Sequence, residues 1–227
     1  MATHKKVNKH FYAISTGGSS QIVTSWQECE AIRKASPYKS VYKGFMYKEE
    51  AILFLKTLAP DIPIAVSNFQ IDSIDNDKIA AAYVTGVFNH DLEIYGYGAI
   101  LCPINHPSEN ICFSDSDGDA VIYKPVIGEI NGAMRVINEA AGRGFQWLII
   151  YHHYIATREW ATGQWEGNLG FTRKYAAFCN RMRQRIHILF LEAPKDEKGL
   201  EKDGLAASLA AKAALLYSST SAAISKN

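Results

Sequence analysis

The 227-residue sequence has no uninterrupted apolar run near the ~20 residues that a membrane-spanning helix needs. Its first residues, Met1-Ala2-Thr3-His4-Lys5-Lys6, lack the apolar core of a secretion signal. Cysteine is scarce and scattered. Cys29, Cys102, Cys112 and Cys179 include no CxxC pair, which argues against a zinc ribbon and against a disulfide scaffold and fits a reducing compartment. No internal repeat is visible. These absences together lead to the expectation of a cytoplasmic protein with no membrane association.

What is present is ordinary for a globular chain: 48% apolar residues, 21% charged, and a formal net charge of +1. The charge is unevenly placed. Up to Leu58 there are nine Lys and Arg against four Glu, so that segment carries +5 and the rest carries −4. A basic first quarter on a mildly acidic body points to a polyanion as its partner; a solvated lysine-bearing face is the alternative.

Within residues 8–58, Phe11-Tyr12-Ala13-Ile14 and Gln21-Ile22-Val23-Thr24 are short strands around the turn cluster Thr16-Gly17-Gly18-Ser19-Ser20. Ser25 followed by Glu28 fits a capping box for a helix from Trp26 to about Lys34, which Pro37 stops. Val41 to Phe45 is a third strand. Tyr47 to Leu58 is a second helix with Ala51, Ile52, Leu55 and Leu58 on its apolar face. Residues 59–77, with Pro60 and Pro63, form a linker holding a short extended piece at Ile64-Ala65-Val66. The order of elements, with Phe11-Tyr12-Ala13, Thr24-Ser25-Trp26-Gln27-Glu28-Cys29, Tyr42-Lys43-Gly44-Phe45 and Glu49-Glu50-Ala51, resembles the viroplasmin-like domain at the N-terminus of some ribonucleases H. That resemblance implies binding of RNA–DNA hybrid and, less tightly, double-stranded RNA. Tyr12 and Trp26 would be its aromatic contacts and Lys43 its phosphate contact, and Gly44 stands where the family often has a second lysine. Packing on the sheet is the alternative for both aromatics.

Residues 78–216 open with the runs Ile79–Val84 and Ile94–Leu101 around a polar tip at Asn89-His90-Asp91. Ile111 to Ser114 is a third strand. Ser114-Asp115-Ser116-Asp117-Gly118-Asp119 has the acid spacing of a calcium loop but no closing glutamate, and is taken as a solvated turn. Glu129 to Gly142 is a helix with Ile130, Met134 and Ile137 on one face. Trp147–Tyr151 and Ile186–Leu191 are buried strands. Thr157–Thr162, Phe171–Arg185 and Leu205–Leu216 are helices, and residues 217–227 are a frayed tail. A meander followed by alternating helices and strands gives an α/β fold, a mixed five-stranded sheet with helices on both faces.

This segment resembles ribonuclease H through Tyr83-Val84-Thr85-Gly86, Gly128-Glu129, Ile150-Tyr151-His152-His153, Trp160-Ala161-Thr162-Gly163-Gln164-Trp165 and Leu209-Ala210-Ala211-Lys212-Ala213. The resemblance implies hydrolysis of the RNA strand of a hybrid by two Mg²⁺ ions held on four carboxylates. Carried onto this chain, the four positions are Thr85, Glu129, His153 and Ala207, of which Glu129 alone is an acid. The slot of an asparagine that reads a 2′-hydroxyl holds Pro125, and that of a mobile histidine falls near Pro194. Three missing acids leave a site unable to concentrate two dications, so the expectation is a pseudo-nuclease. It would bind RNA–DNA hybrid or double-stranded RNA and hold no cofactor tightly, with Mg²⁺ needed only if it is active.

Two alternatives stay open: an active ribonuclease H with a rearranged site, and a protein–protein module. Asp203 or Glu201 could supply a replacement acid. Glu129, as the one metal-binding carboxylate, could hold a single softer ion with His153, or His153 could be hydrogen-bonded at a strand end. Trp160 and Trp165 stand where the family grips the DNA strand, with core packing as the alternative.

Overall fold

The computed structural model of the chain describes residues 9–58, 64–66, 69–71, 75–91, 93–106, 111–117, 125–193 and 201–213. The backbone forms two compact units that divide between Asp75 and Asn76. Among the described residues, no helix is long and apolar enough to cross a membrane.

In the first unit, β1 (Phe11–Ser15) and β2 (Ser20–Val23) make an antiparallel hairpin. Its turn is closed by the Thr16 N–H donating to Ser19 O at 3.0 Å, and Gly17 takes φ 79°. Helix α1 (Trp26–Ala35) begins where the Ser25 hydroxyl accepts the Glu28 N–H at 3.2 Å. That same hydroxyl donates to the Glu28 carboxylate at 3.1 Å, so Glu28 closes the cap on the serine side chain rather than on its amide. Strand β3 (Val41–Phe45) pairs with β1, and α2 (Lys48–Leu58) buries Ala51 through Leu55. Leu58, expected on that apolar face, is exposed instead.

The stretch read as a linker contributes two strands, β4 (Ile64–Val66), parallel to β2, and β5 (Phe69–Ile71), giving the sheet order β3-β1-β2-β4-β5. The extended piece read at Ile64-Ala65-Val66 is β4, whereas β5 was not foreseen, because a strand of three residues is too short for an alternation to declare itself in sequence.

The second unit holds β6 (Ile79–Asn89), β7 (Ile94–Pro103), β8 (Ile111–Asp117), α3 (Pro125–Gly142), β9 (Trp147–His152), α4 (Ile155–Ala161), α5 (Gly170–Met182), β10 (His187–Glu192) and α6 (201–213). Its sheet order is β10-β9-β6-β7-β8, with β6, β7 and β8 antiparallel and β9 and β10 parallel to β6. This is the mixed five-stranded α/β sheet expected from the sequence. The main core lies on one face, where Ile130, Val136, Ile137, Trp160, Tyr175, Phe178 and Met182 meet Ala80, Val84, Leu148, Ile150, Ile188 and Phe190. On the other face α6 packs Ala206 and Leu209 against Tyr83, Ile100 and Cys102. Ser114 to Asp117 continue strand β8 rather than forming a solvated turn; Gly118 and Asp119 lie outside the described residues, as do Pro194 and the tail at 217–227.

Candidate functional site

Register and helix packing fix where Thr85, Glu129, His153 and Ala207, the four positions expected from the resemblance, fall. Thr85 on β6 is paired with Gly98 on β7, and a Cβ on Gly98 would overlap Ala206 O of α6. Paired residues share a sheet face, so Thr85 looks toward the α6 side. Gly86 turns to the opposite side, where a Cβ would overlap Pro125 O and fall 2.5 Å from Glu129 N. Gly128 approaches as closely, its Cβ position being 2.5 Å from Gly96 O. These two glycines let the first turn of α3 rest directly on strand backbone. Pro125 opens that helix, at the one place where its missing N–H leaves no bond unmade. The helix therefore starts a turn earlier than the sequence suggested. Glu129 lies in its second turn, driven inside to 0% exposure.

Both oxygens of Glu129 are engaged. Oε2 accepts the His153 N–H at 2.9 Å; Oε1 accepts the Tyr154 N–H at 3.1 Å and the Thr157 hydroxyl at 2.6 Å. These donors stand at the entrance to α4, whose own N-cap residue, Tyr154, makes no side-chain cap bond. The amide of the N-cap residue Tyr154 and that of His153 just before it have no partner within the helix, and a carboxylate from α3 supplies one.

His153 completes the arrangement. Its Nδ1 lies 3.3 Å from Glu129 Oε2 and its Nε2 lies 2.9 Å from Asp203 Oδ2 on α6. The Glu129 hydrogen bond first, then Asp203, raise its pKa to about 9, against the opposing effect of partial burial. At neutral pH the ring is held as an imidazolium that donates from both nitrogens to the two carboxylates. A softer ion between His153 and Glu129, one of the two alternatives for this histidine, would have to displace a proton from the ring and break its bond to Glu129, whereas the other alternative, a hydrogen-bonded histidine at a strand end, is the arrangement present. Asp203, considered as a replacement acid, does come to this place, but onto the imidazolium. Ala207 and Glu201 are exposed on the same helix. His152 points the other way, buried beside Phe190, and burial holds its ring below the usual histidine range.

Among the described residues, no group of three or more His, Cys, Asp or Glu could hold a metal ion. A hydroxyl, a fully engaged carboxylate, an imidazolium and an alanine do not fit a pair of magnesium ions. A histidine chemical-shift titration is expected to place the His153 midpoint near 9 rather than 6.5. Because the folded value exceeds the unfolded one, the stabilisation from this clamp is complete below about pH 6.5 and is lost as pH rises through about 9. A midpoint at or below 6.5 would contradict the clamp.

Trp160, one candidate for gripping DNA, is 7% exposed and lies in the core, with Trp165 edge-on to it at 6.0 Å. Its ring is buried in the main core with Ile130, Tyr175 and Phe178 and is not open to a ligand. Trp165 is partly buried against the same cluster.

The aromatic surface is in the first unit. Trp26, the first residue of α1, is 38% exposed, with its ring 5.9 Å from Tyr12 and 5.6 Å from Tyr42. Tyr42, 43% exposed, has the Arg33 guanidinium 5.8 Å from its ring centroid. Lys43 alternates away. It is paired with the core residue Ala13, and its ammonium lies 5.8 Å from the Phe45 and Phe54 ring centroids on the α2 side. The phosphate contact expected of Lys43 is thus on the wrong face of the sheet to accompany Trp26. Tyr42, Arg33 and Thr157 were missed in the sequence. Strand parity would have found Tyr42, since it shares a face with Gly44 and hence with Tyr12.

Residues 10–55 match the family model described as Ribonuclease H1 N-terminal domain. No curated protein matches the chain. Among solved structures, the N-terminal RNase H domain of Rv2228c from Mycobacterium tuberculosis, solved as a fusion with maltose binding protein, is 16% identical. It covers 63% of this chain and 98% of its own at a TM-score of 0.53. RNase H1 from the halophilic archaeon Halobacterium salinarum is 17% identical, covering 60% and 96% at 0.49. LC11-RNase H1, isolated from compost and solved in complex with RNA/DNA hybrid, is 14% identical, covering 59% and 98% at 0.47.

Proposed function

We propose that this chain, which joins a ribonuclease H1 N-terminal domain to a domain of ribonuclease H-like fold, binds RNA–DNA hybrid or double-stranded RNA without cleaving it. The observation that carries the reading is Glu129. The one acid left at the four carboxylate positions is wholly buried and spends its oxygens on the entrance to α4. A magnesium pair needs hard, negatively charged oxygens facing solvent and substrate, and the Glu129–His153–Asp203 cluster already balances an imidazolium between two carboxylates.

Binding falls to the first unit. Trp26, Tyr12 and Tyr42 offer flat apolar faces for the sugars of a backbone, and recognition of an A-like duplex is by shape across its wide minor groove rather than by base sequence. Lys and Arg residues around that surface neutralise phosphates.

Gel shifts with the full chain on hybrid, double-stranded RNA and double-stranded DNA test the binding. Hybrid and double-stranded RNA are expected to be retarded, and Trp26→Ala is expected to weaken binding by about tenfold, the loss of a single stacking face. No shift with any duplex, and no effect of Trp26→Ala, favours a protein–protein module. A cleavage assay in Mg²⁺ or Mn²⁺ tests the inertness. RNA-strand nicking that co-purifies with the chain and falls with Asp203→Asn would show a rearranged but working enzyme.

A further inference from the structure

We infer that Lys9 is the phosphate-contacting cation of the aromatic face, reaching across Gly44 to a place no residue of β3 itself can serve. The inference rests on the duplex-binding reading above and assigns the residue that gives that surface its charge.

Gly44 is the direct cross-strand partner of Tyr12. A Cβ at Gly44 would fall 2.6 Å from Lys9 Cδ and 3.1 and 3.2 Å from Cε1 and Cδ1 of the Tyr12 ring. The Lys9 stem therefore lies over Gly44, beside the Tyr12 edge, on the same side of the sheet as Trp26 and Tyr42. Long basic side chains lay their methylenes along apolar surface and carry the charge to its margin. Lys9 does this at one flank of the aromatic trio, and Arg33 stands over Tyr42 at the other. Gly44 is the gap that admits the stem, because a side chain there would meet both Lys9 and Tyr12. The neighbouring lysine cannot substitute, since strand alternation sends Lys43 to the α2 side, over Phe45 and Phe54. The surface thus has flat rings at its centre and cations at its edges, the disposition that suits a sugar–phosphate backbone crossing it.

The test is the salt dependence of hybrid binding by the full chain. Each phosphate contact contributes about one unit to the slope of log affinity against log salt. Lys9→Ala is expected to lower that slope by about one, while Lys56→Ala, the same charge removed from the last turn of α2, leaves it in place. Lys9→Ala combined with Gly44→Lys is expected to restore the slope, because the new lysine projects on the vacated face. The inference is overturned if Lys9→Ala leaves the slope untouched, if Lys56→Ala lowers it equally, or if Lys43→Ala removes the unit instead. Binding that depends on Trp26 but not on Lys9 overturns this inference alone. Absence of any duplex binding overturns it together with the reading beneath it.

Discussion

Glu129→Ala is expected to lower the melting temperature of the second unit by about 10 °C, at about 2–4 °C per kcal/mol for a domain of this size. The substitution strands the His153 and Tyr154 amides and the Thr157 hydroxyl, all placed to donate to a carboxylate that is 0% exposed. It also strips the His153 imidazolium of one of its two counter-charges. Removing one partner from a buried, hydrogen-bonded charge network costs about 3–5 kcal/mol, because the survivors stay out of water without compensation. In an enzyme that crowds carboxylates together to hold metal, removing one relieves repulsion, and stability holds or rises. The sign of the change in melting temperature therefore separates the two roles of this glutamate without a substrate. Calorimetry of wild type, Glu129→Ala and Glu129→Gln makes the comparison. Glutamine keeps one acceptor oxygen and is expected to fall between the other two. A midpoint for Glu129→Ala at or above that of wild type would mean that the carboxylate is not a structural cap.

Gly98→Ala is expected to lift α6 off the sheet. A Cβ there would overlap Ala206 O and fall 2.8 Å from Ala210 N, both backbone atoms that no rotamer change can move. Overpacking in a filled interior costs about 1–3 kcal/mol, and a clash with backbone belongs at the top of that range. Hydrogen exchange gives the local readout: amides of residues 201–213 should lose protection while those of β6 and β9 keep theirs. Withdrawal of α6 also takes Asp203 from His153, so the histidine midpoint should fall below its value of about 9. Gly142→Ala is the control, since a Cβ at that position meets nothing within 4 Å. Unchanged protection across 201–213 would show that α6 is not seated as described.

Much of this arrangement could be read from residue pattern. The apolar runs at 79–84 and 94–101 and the helix through Ile130, Met134 and Ile137 were plain, since the periods of strand and helix are written along the chain itself. The seating of α3 was not. It depends on Gly86 and Gly128 touching backbone that is distant in sequence. Glu129 was identifiable as the surviving acid, yet its role was hidden, because its partners lie 24 to 28 residues downstream and their direction is set by the packed fold. Trp160 shows the same limit from the other side. Nothing local tells a core indole from one that grips a ligand, and the difference is made by distant residues such as Ile130, Tyr175 and Phe178 that share its core cluster. Lys43 and Gly44 turned on parity, where a shift of one position exchanges the two faces of a sheet.

The cap that α3 lends to the entrance of α4 also bears on when that helix forms. A helix of seven residues is far below the length that sustains itself in water, and α4 has no side chain of its own to hold its first turn. The amides at its entrance, those of His153 and Tyr154, are bonded by a group 24 and 25 residues earlier in the chain, on a helix that packs on β6 and β7. Substitutions that remove this cap are therefore expected to give φ-values near zero, raising the unfolding rate more than they lower the folding rate, which stopped-flow kinetics of Thr157→Ala would check.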